Sequence, residues 1–432
     1  MRTRGIHPPA HDDGLAFVPP QIPNLADHGH ACTRPPPAST ASPIGGARFH
    51  EPEKVETRPK RVNLPRWRRT AAVAAATCAT AAVACAGASP ASPAARLQAA
   101  ARGAAGAAPP DTARVRWRAD VGPSVFAAPE TAGAALLVAT GDGQVLALSA
   151  GTGSRLWKCG MHGPVRGIAR AGGRIFAAEH RERGRAFAVS TADGALRWAR
   201  TVGAVRYAPA VAGNAVVLAT DDGDVLALDA ATGTPRWRAR VAGAATAAPV
   251  PVAGEALVAT RTDTLYHLDL GTGTVTARTP LPAHVSATPL PWRGVVLLPL
   301  LSGALLAYDP AARSVRWAAD LGEPILAAPV AAEGGDAYVL TRAAELWRVP
   351  AAGGEPTRLA ELGGAAVGSL AVAGGRIFVG RLDGTLSALR ADGTVVWSKR
   401  LGNSIVAPVA VGDGAIYAPL LHGTIVRIEG RR

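Results

Sequence analysis

The sequence predicts an all-β fold, an eight-bladed β-propeller of four-stranded antiparallel blades, and three observations carry the prediction. Trp117, Trp157, Trp198, Trp237, Trp317 and Trp397 are spaced by 40, 41, 39, 80 and 80 residues, so the period is near forty. The two double gaps each hold a degenerate copy, with Ala277 and Thr357 where tryptophan is expected. Glycine stands four residues before the marked position at Gly153, Gly194, Gly233, Gly273 and Gly393, and a second series (Gly143, Gly184, Gly223, Gly303, Gly384, Gly423) marks another turn. Alternating apolar runs flank that second turn, as in "AVVLAT" before and "DVLALD" after Gly223.

Each repeat reads as four short strands. A small-residue segment comes first ("FAAP", "YAPA", "TAAPV", "SATPL", "LAAPV", "IVAPV"), and it suits the crowded innermost position around a central axis. A β-branched strand, an Asp-Gly-type turn and a third apolar strand follow. The fourth strand carries the tryptophan, whose bulk fills the wedge that widens between blades toward the rim. The alternative for these tryptophans is a binding stripe.

Seven full repeats begin near residues 121, 159, 201, 241, 281, 321 and 362. The last, "LGNSIVAPVAVGDGAIYAPLLHGTIVRIEG", supplies three strands, while "RVRWRAD" (Arg114–Asp120) is a fourth strand with no repeat in front of it. The expectation is therefore that Arg114–Asp120 completes the last blade and closes the ring, leaving no open sheet edge at the seam. The propeller is assigned to residues 113–432.

The region before it has a different character. Residues 1–61 are rich in proline and histidine without apolar periodicity, which predicts disorder or an extension upstream of the true start, for example at Val62. Residues 62–88 resemble an export signal: Arg66, Arg68 and Arg69 precede a weakly apolar run, Ala71–Ala84, and small residues follow. That run is too short and alanine-rich for a membrane-spanning helix. Two processing readings stay open. "AVAC" resembles a lipobox, making Cys85 the candidate for lipidation, and "AGA" (Ala86–Ala88) fits ordinary cleavage. Residues 89–112, rich in Ala, Gly and Pro, read as a flexible tether.

Charge and cysteine content exclude several functions. The formal charge is +14, with 13 Lys+Arg against 6 Asp+Glu in residues 1–110 and 33 against 26 in the rest. The arginines are scattered singly rather than gathered with aromatics on one face, so nucleic acid is not an expected partner. Of Cys32, Cys78, Cys85 and Cys159 only the last falls in the propeller, which excludes an internal disulfide and a CxxC site there. The histidines His162, His180, His267, His284 and His422 lack the pairing of a zinc site, and no G-x-S-x-G motif occurs. No catalytic, cofactor or metal residue is assigned.

Asp221, Asp222 and Asp224 lack the spacing and the downstream glutamate of a calcium loop, so they read as a hairpin turn. "EHRERGRA" replaces that turn in the second repeat. Its Arg181, Arg183 and Arg185 are either a solvated tip or the contact for an anionic partner. Arg166 and Arg206, near the starts of innermost strands, are candidates to face the channel mouth.

The unit G-x-V-L-A-L-D-A-A-T-G-x-x-x-W, clearest at Gly223–Trp237, resembles the quinoprotein (PQQ-like) propeller repeat over about residues 114–430. One branch of that family is enzymatic. Its dehydrogenases hold PQQ and calcium with a vicinal cysteine pair, metal ligands and a catalytic aspartate, none of which can be matched in this chain. The other branch is the BamB outer-membrane assembly lipoprotein family, eight-bladed rings behind a lipobox and tether. This second resemblance implies a non-catalytic, exported, protein-binding scaffold without cofactor. It implies a lipid anchor at Cys85, an envelope or periplasmic location at the outer membrane, since Ala86 is not the inner-membrane aspartate, and the β-barrel assembly machinery as partner. A generic periplasmic or surface propeller with another partner is the alternative, and a PQQ-dependent dehydrogenase relative a further one.

Overall fold

In the computed structural model, residues 113–429 are described, and they contain eight four-stranded antiparallel sheets and no helix. Seven blades are made from consecutive strands, spanning residues 130–160, 165–201, 210–240, 250–280, 290–320, 330–361 and 370–400. The eighth takes three strands from residues 410–429 and its outermost strand from Arg114–Asp120. Arg114 pairs with Glu429 and Asp120 with Thr424, so the ring closes as the three-strand last repeat requires. Residues 1–61, the export signal 62–88 with Cys85, and the tether 89–112 lie outside the described residues.

The middle strands form the core. Leu136, Leu137, Val138, Val216, Val217 and Leu218 are at most 1 % exposed, because both sheet faces are covered by neighbouring blades. Each such side chain contributes roughly 1.5–3 kcal/mol of apolar burial. Outer strands alternate instead, as in Arg114–Asp120, whose even-numbered residues are exposed.

The innermost strands differ from expectation. The small-residue segments are paired only in part: the Thr246 and Ser286 amides donate to the Ala259 and Pro299 carbonyls, but the regular ladder begins at or after the ends of the segments, at Glu130–Ala132, Ala210–Ala212, Val250–Val252, Leu290–Trp292 and Val330–Ala331. In these five blades a proline (Pro129, Pro209, Pro249, Pro289, Pro329) stands immediately before or at the start of the strand and has no N–H to give the ladder. Where Ala169 and Leu370 replace that proline, the strands lengthen to Val165–Ala171 and Leu370–Ala373.

The tryptophans sit at the joints between blades. Trp117, Trp157, Trp198 and Trp237 each donate an indole N–H to a backbone carbonyl on the next blade's turn (Ala150, Thr191, Ala230 and Leu270), at 2.9–3.2 Å. Gly153, Gly194, Gly233 and Gly273 on those turns have φ of +71° to +75°. A Cβ on any of them would meet the indole at 2.5–2.8 Å. The repeated glycine thus serves two needs, a left-handed backbone and a seat for the ring.

Candidate functional site: the loop face around the channel mouth

Antiparallel order within each blade sends two kinds of loop to the same face: the hairpins joining second to third strands, and the connections from each outermost strand to the next innermost one. A repeated backbone bond ties them. The amides of Gly141, His180, Asp221, Arg261, Leu301, Arg342, Leu382 and Leu421 donate to carbonyls of the adjoining connections (Ser124, Pro164, Ala204, Ala244, His284, Pro324, Ala365, Ser404) at 2.7–2.9 Å.

On the connections, Val125, Val165, Val205, Ala245, Val285, Ile325, Ala366 and Ile405 are buried between blades. The next residue in each case is more exposed and turns from the blade interior toward the mouth: Phe126, Arg166, Arg206, Thr246, Ser286, Leu326, Val367 and Val406. Read around the ring with the hairpin tips, the second to fourth blades give the mouth a polar, cationic side, and the fifth round to the first give it most of its apolar residues, interrupted by Ser286 and by Arg342 paired with Glu323. Arg261, Tyr207 and the leucines carry no motif of their own; stacking the repeats in register is the signal that finds them.

The electrostatics of the polar half rest on two carboxylates. Asp221 accepts from Arg206 (Nη2–Oδ2, 3.0 Å) and lies 2.9 Å from His180 Nε2. Burial opposes its charge, but Arg206 and His180 outweigh that and hold the carboxyl below the ordinary aspartate range. Glu179 is fully buried behind the second-blade hairpin. It accepts from Arg181 (3.0 Å), from Arg185 (3.3 Å) and from the His162 and Arg185 amides (2.9 and 3.1 Å). Burial again opposes the charge and these donors overcome it, so Glu179 stays ionised below its ordinary range.

The structure therefore gives the three arginines of the second-blade tip different positions. Arg181 and Arg185 point back onto Glu179, while Arg183 stands exposed. Arg166 places its guanidinium 5.0 Å from the Phe126 ring centroid. Tyr207 lies within electrostatic range of Arg206, Arg261, Asp221 and Arg166; burial pushes its phenol up, so it remains a neutral donor. The indoles of Trp117, Trp157, Trp198 and Trp237 lie at the blade joints described above.

Among the described residues no three His, Cys, Asp or Glu side chains gather as a metal-binding group. The donor set of a quinone–calcium centre does not fit this mouth, where Asp221 is already engaged by Arg206 and His180. Cys159, half-buried on an outer strand, is the single cysteine among the described residues.

Comparison with known proteins follows the same architecture. No curated protein matches the chain by sequence. BamB from Moraxella catarrhalis superposes with a TM-score of 0.62 at 15% identity, covering 74% of this chain and 100% of that one. The computationally designed Ika8 protein gives 0.64 at 15% identity, covering 72% and 98%. Quinohemoprotein alcohol dehydrogenase from Comamonas testosteroni gives 0.58 at 14% identity, covering 74% and 77%. At such identities these likenesses speak for the fold alone. By sequence, the family described as outer membrane protein assembly factor BamB matches residues 65–207, 160–253, 221–299 and 301–430. The chain, an eight-bladed PQQ-like β-propeller, belongs to that family.

Proposed function

We propose that the protein is a non-catalytic, exported scaffold that docks a protein partner in the cell envelope, in a BamB-like role in the assembly of outer-membrane β-barrel proteins. The observation that carries this reading is the family match, which runs from residue 65 to residue 430 with a break only at residue 300. The chemistry of the mouth supports it. Its carboxylates Asp221 and Glu179 are each tied to arginines, an arrangement suited to recognition rather than to proton transfer. The propeller's only cysteine also leaves no counterpart for the vicinal pair of the enzymatic branch.

On this reading the export signal delivers the propeller, Cys85 carries a lipid, and residues 89–112 tether the ring to the outer membrane. Affinity purification from native membranes tests the function. Recovery of β-barrel assembly components with the propeller is the expected result. Stoichiometric PQQ in the native protein, or alcohol oxidation after reconstitution with PQQ and calcium, would overturn the non-catalytic assignment. Mass spectrometry of the native N-terminus distinguishes lipidated Cys85 from cleavage after Ala88.

A further inference from the structure

The mouth is divided. From the second to the fourth blade it presents Arg166, Arg206, Tyr207, Thr246 and Arg261. From the fifth blade round to the first it presents Leu301, Leu326, Leu382, Val406, Leu421 and Phe126, of which Leu301 is 47%, Leu382 38% and Phe126 36% exposed, with Arg342, paired to Glu323 at 3.5 Å, standing between Leu301 and Leu382. Large apolar side chains this exposed, grouped on one arc of an otherwise polar rim, are a surface that association would cover.

The polar arc has unused cationic capacity. Of its carboxylates, Asp221 is bound by Arg206 and His180 and Asp263 by His284, while Asp222 is exposed on the third-blade tip. Arg166 and Arg261 have no carboxylate partner among the described residues. Arg166 Nε is buried without a hydrogen-bond partner, and so is the hydroxyl of Thr246, a residue only 8% exposed. An orphaned buried donor is costly to keep, and oxygen acceptors entering from the channel would offer each a partner. Tyr207 adds a neutral O–H beside the two free guanidinium groups. A group that fits these donors is anionic and oxygen-bearing, and apolar side chains lie elsewhere on the same rim to meet the rest of a ligand.

We propose that the channel mouth is a peptide-recognition site, taking a partner segment in which a carboxylate side chain lies beside large apolar ones. The carboxylate enters between Arg166 and Arg261, and the apolar side chains lie over the Leu301–Leu382–Phe126 arc. This deepens the scaffold reading and rests on it, since it names the chemistry of what the scaffold holds. Arginine supplies bidentate, salt-sensitive contact to the acid, and the leucines supply burial without fixed register.

Selection of a random dodecapeptide phage library on the immobilised full chain tests this. The expected consensus combines Asp or Glu with Leu, Phe or Trp. A synthetic peptide of that consensus should bind the Arg166→Glu/Arg261→Glu variant at least about tenfold more weakly. Leu382→Glu should weaken it as well, and Arg155→Glu, on an exposed outer strand, should leave it unchanged. Unaltered thermal unfolding of each variant shows that the ring is intact. A basic consensus, no consensus, or a consensus peptide indifferent to the mouth variants would overturn the proposal. If the doubly reversed variant still recovers the same native membrane partner, docking lies elsewhere: the mouth proposal falls and the scaffold reading stands.

Discussion

Two joints of the ring solve one packing problem with opposite chemistry. Between the third and fourth blades, Trp237 lies on Gly273 and donates to the Leu270 carbonyl at 2.9 Å. Between the fourth and fifth, Ala277 replaces the tryptophan, and the matching turn position is Arg313 at φ +53° rather than glycine. The space is filled by polar groups. Fully buried His267 lies 2.7 Å from Glu255 and 2.7 Å from the Tyr308 hydroxyl, which also pairs with Thr279 at 2.9 Å. Arg313 reaches back across the joint to the Thr276 carbonyl at 3.0 Å and to Glu255 at 3.4 Å. At this joint tryptophan and glycine are lost together: without an indole to seat, the turn no longer needs a bare Cα, and a long side chain bridges instead.

The contrast can be broken most severely at an indole joint. Trp198→Ala should cost roughly 3–5 kcal/mol in denaturant unfolding, the usual penalty for emptying a large buried aromatic site. Gly233→Ala attacks the same joint from the other side. It should cost at least about 1–2 kcal/mol from the left-handed backbone alone, and more because its methyl would meet Trp198 at 2.5 Å. A Gly233→Ala protein as stable as the parent would mean the ring is not seated as described.

At the polar joint the expected effects are smaller. Tyr308→Phe removes the hydroxyl shared by His267 and Thr279 and should cost about 1–3 kcal/mol, since buried His267 loses a partner. Ala277→Trp alone should gain nothing, because Arg313 occupies the approach. Combined with Arg313→Gly it should recover an indole joint, giving a favourable coupling of about 1 kcal/mol in a double-mutant cycle.

The mildest effect is in acid. Burial disfavours the charge of Glu255, but hydrogen bonds from Thr276 and His267 and the charge of Arg313 hold its carboxyl below the ordinary glutamate range. A carboxyl depressed in the folded state stabilises above its unfolded value and loses that contribution as pH falls through the folded value. The stability gap between parent and Glu255→Gln should accordingly be open at neutral pH and close on acidification. A gap independent of pH would contradict the assignment.

What the sequence reveals of this protein follows from where the information lies. Blade number and ring closure rest on features that repeat every forty residues, so the Trp117 strand with no repeat in front of it and the three-strand tail over residues 410–429 point to the same sheet. The joints depend on pairs of residues in different blades. Thr357 stands at the tryptophan spacing, yet the residue that meets Gly393 is Leu359, through its carbonyl and Cβ, because the bulge of that blade falls between the partners of Leu346 and Trp347 rather than nearer the turn. The buried role of Glu179 was likewise hidden. Its arginine neighbours look like a free basic tip until the hairpin is folded and two of them turn inward. At the mouth, Arg166 and Arg206 are visible from their repeat position, but the split into polar and apolar arcs emerges only when all eight connections are set side by side.

The pairing of Arg114 with Glu429 also has a consequence in time. A chain made from its N-terminus exposes Arg114–Asp120 first, and that strand must wait for residues 424–429 before it has a neighbour. Seven blades can assemble from contiguous sequence in the meantime; the eighth cannot. Ring closure is therefore a checkpoint on completeness: a nascent or truncated chain lacking residues 424–429 is left with an outer strand whose backbone groups have no partner.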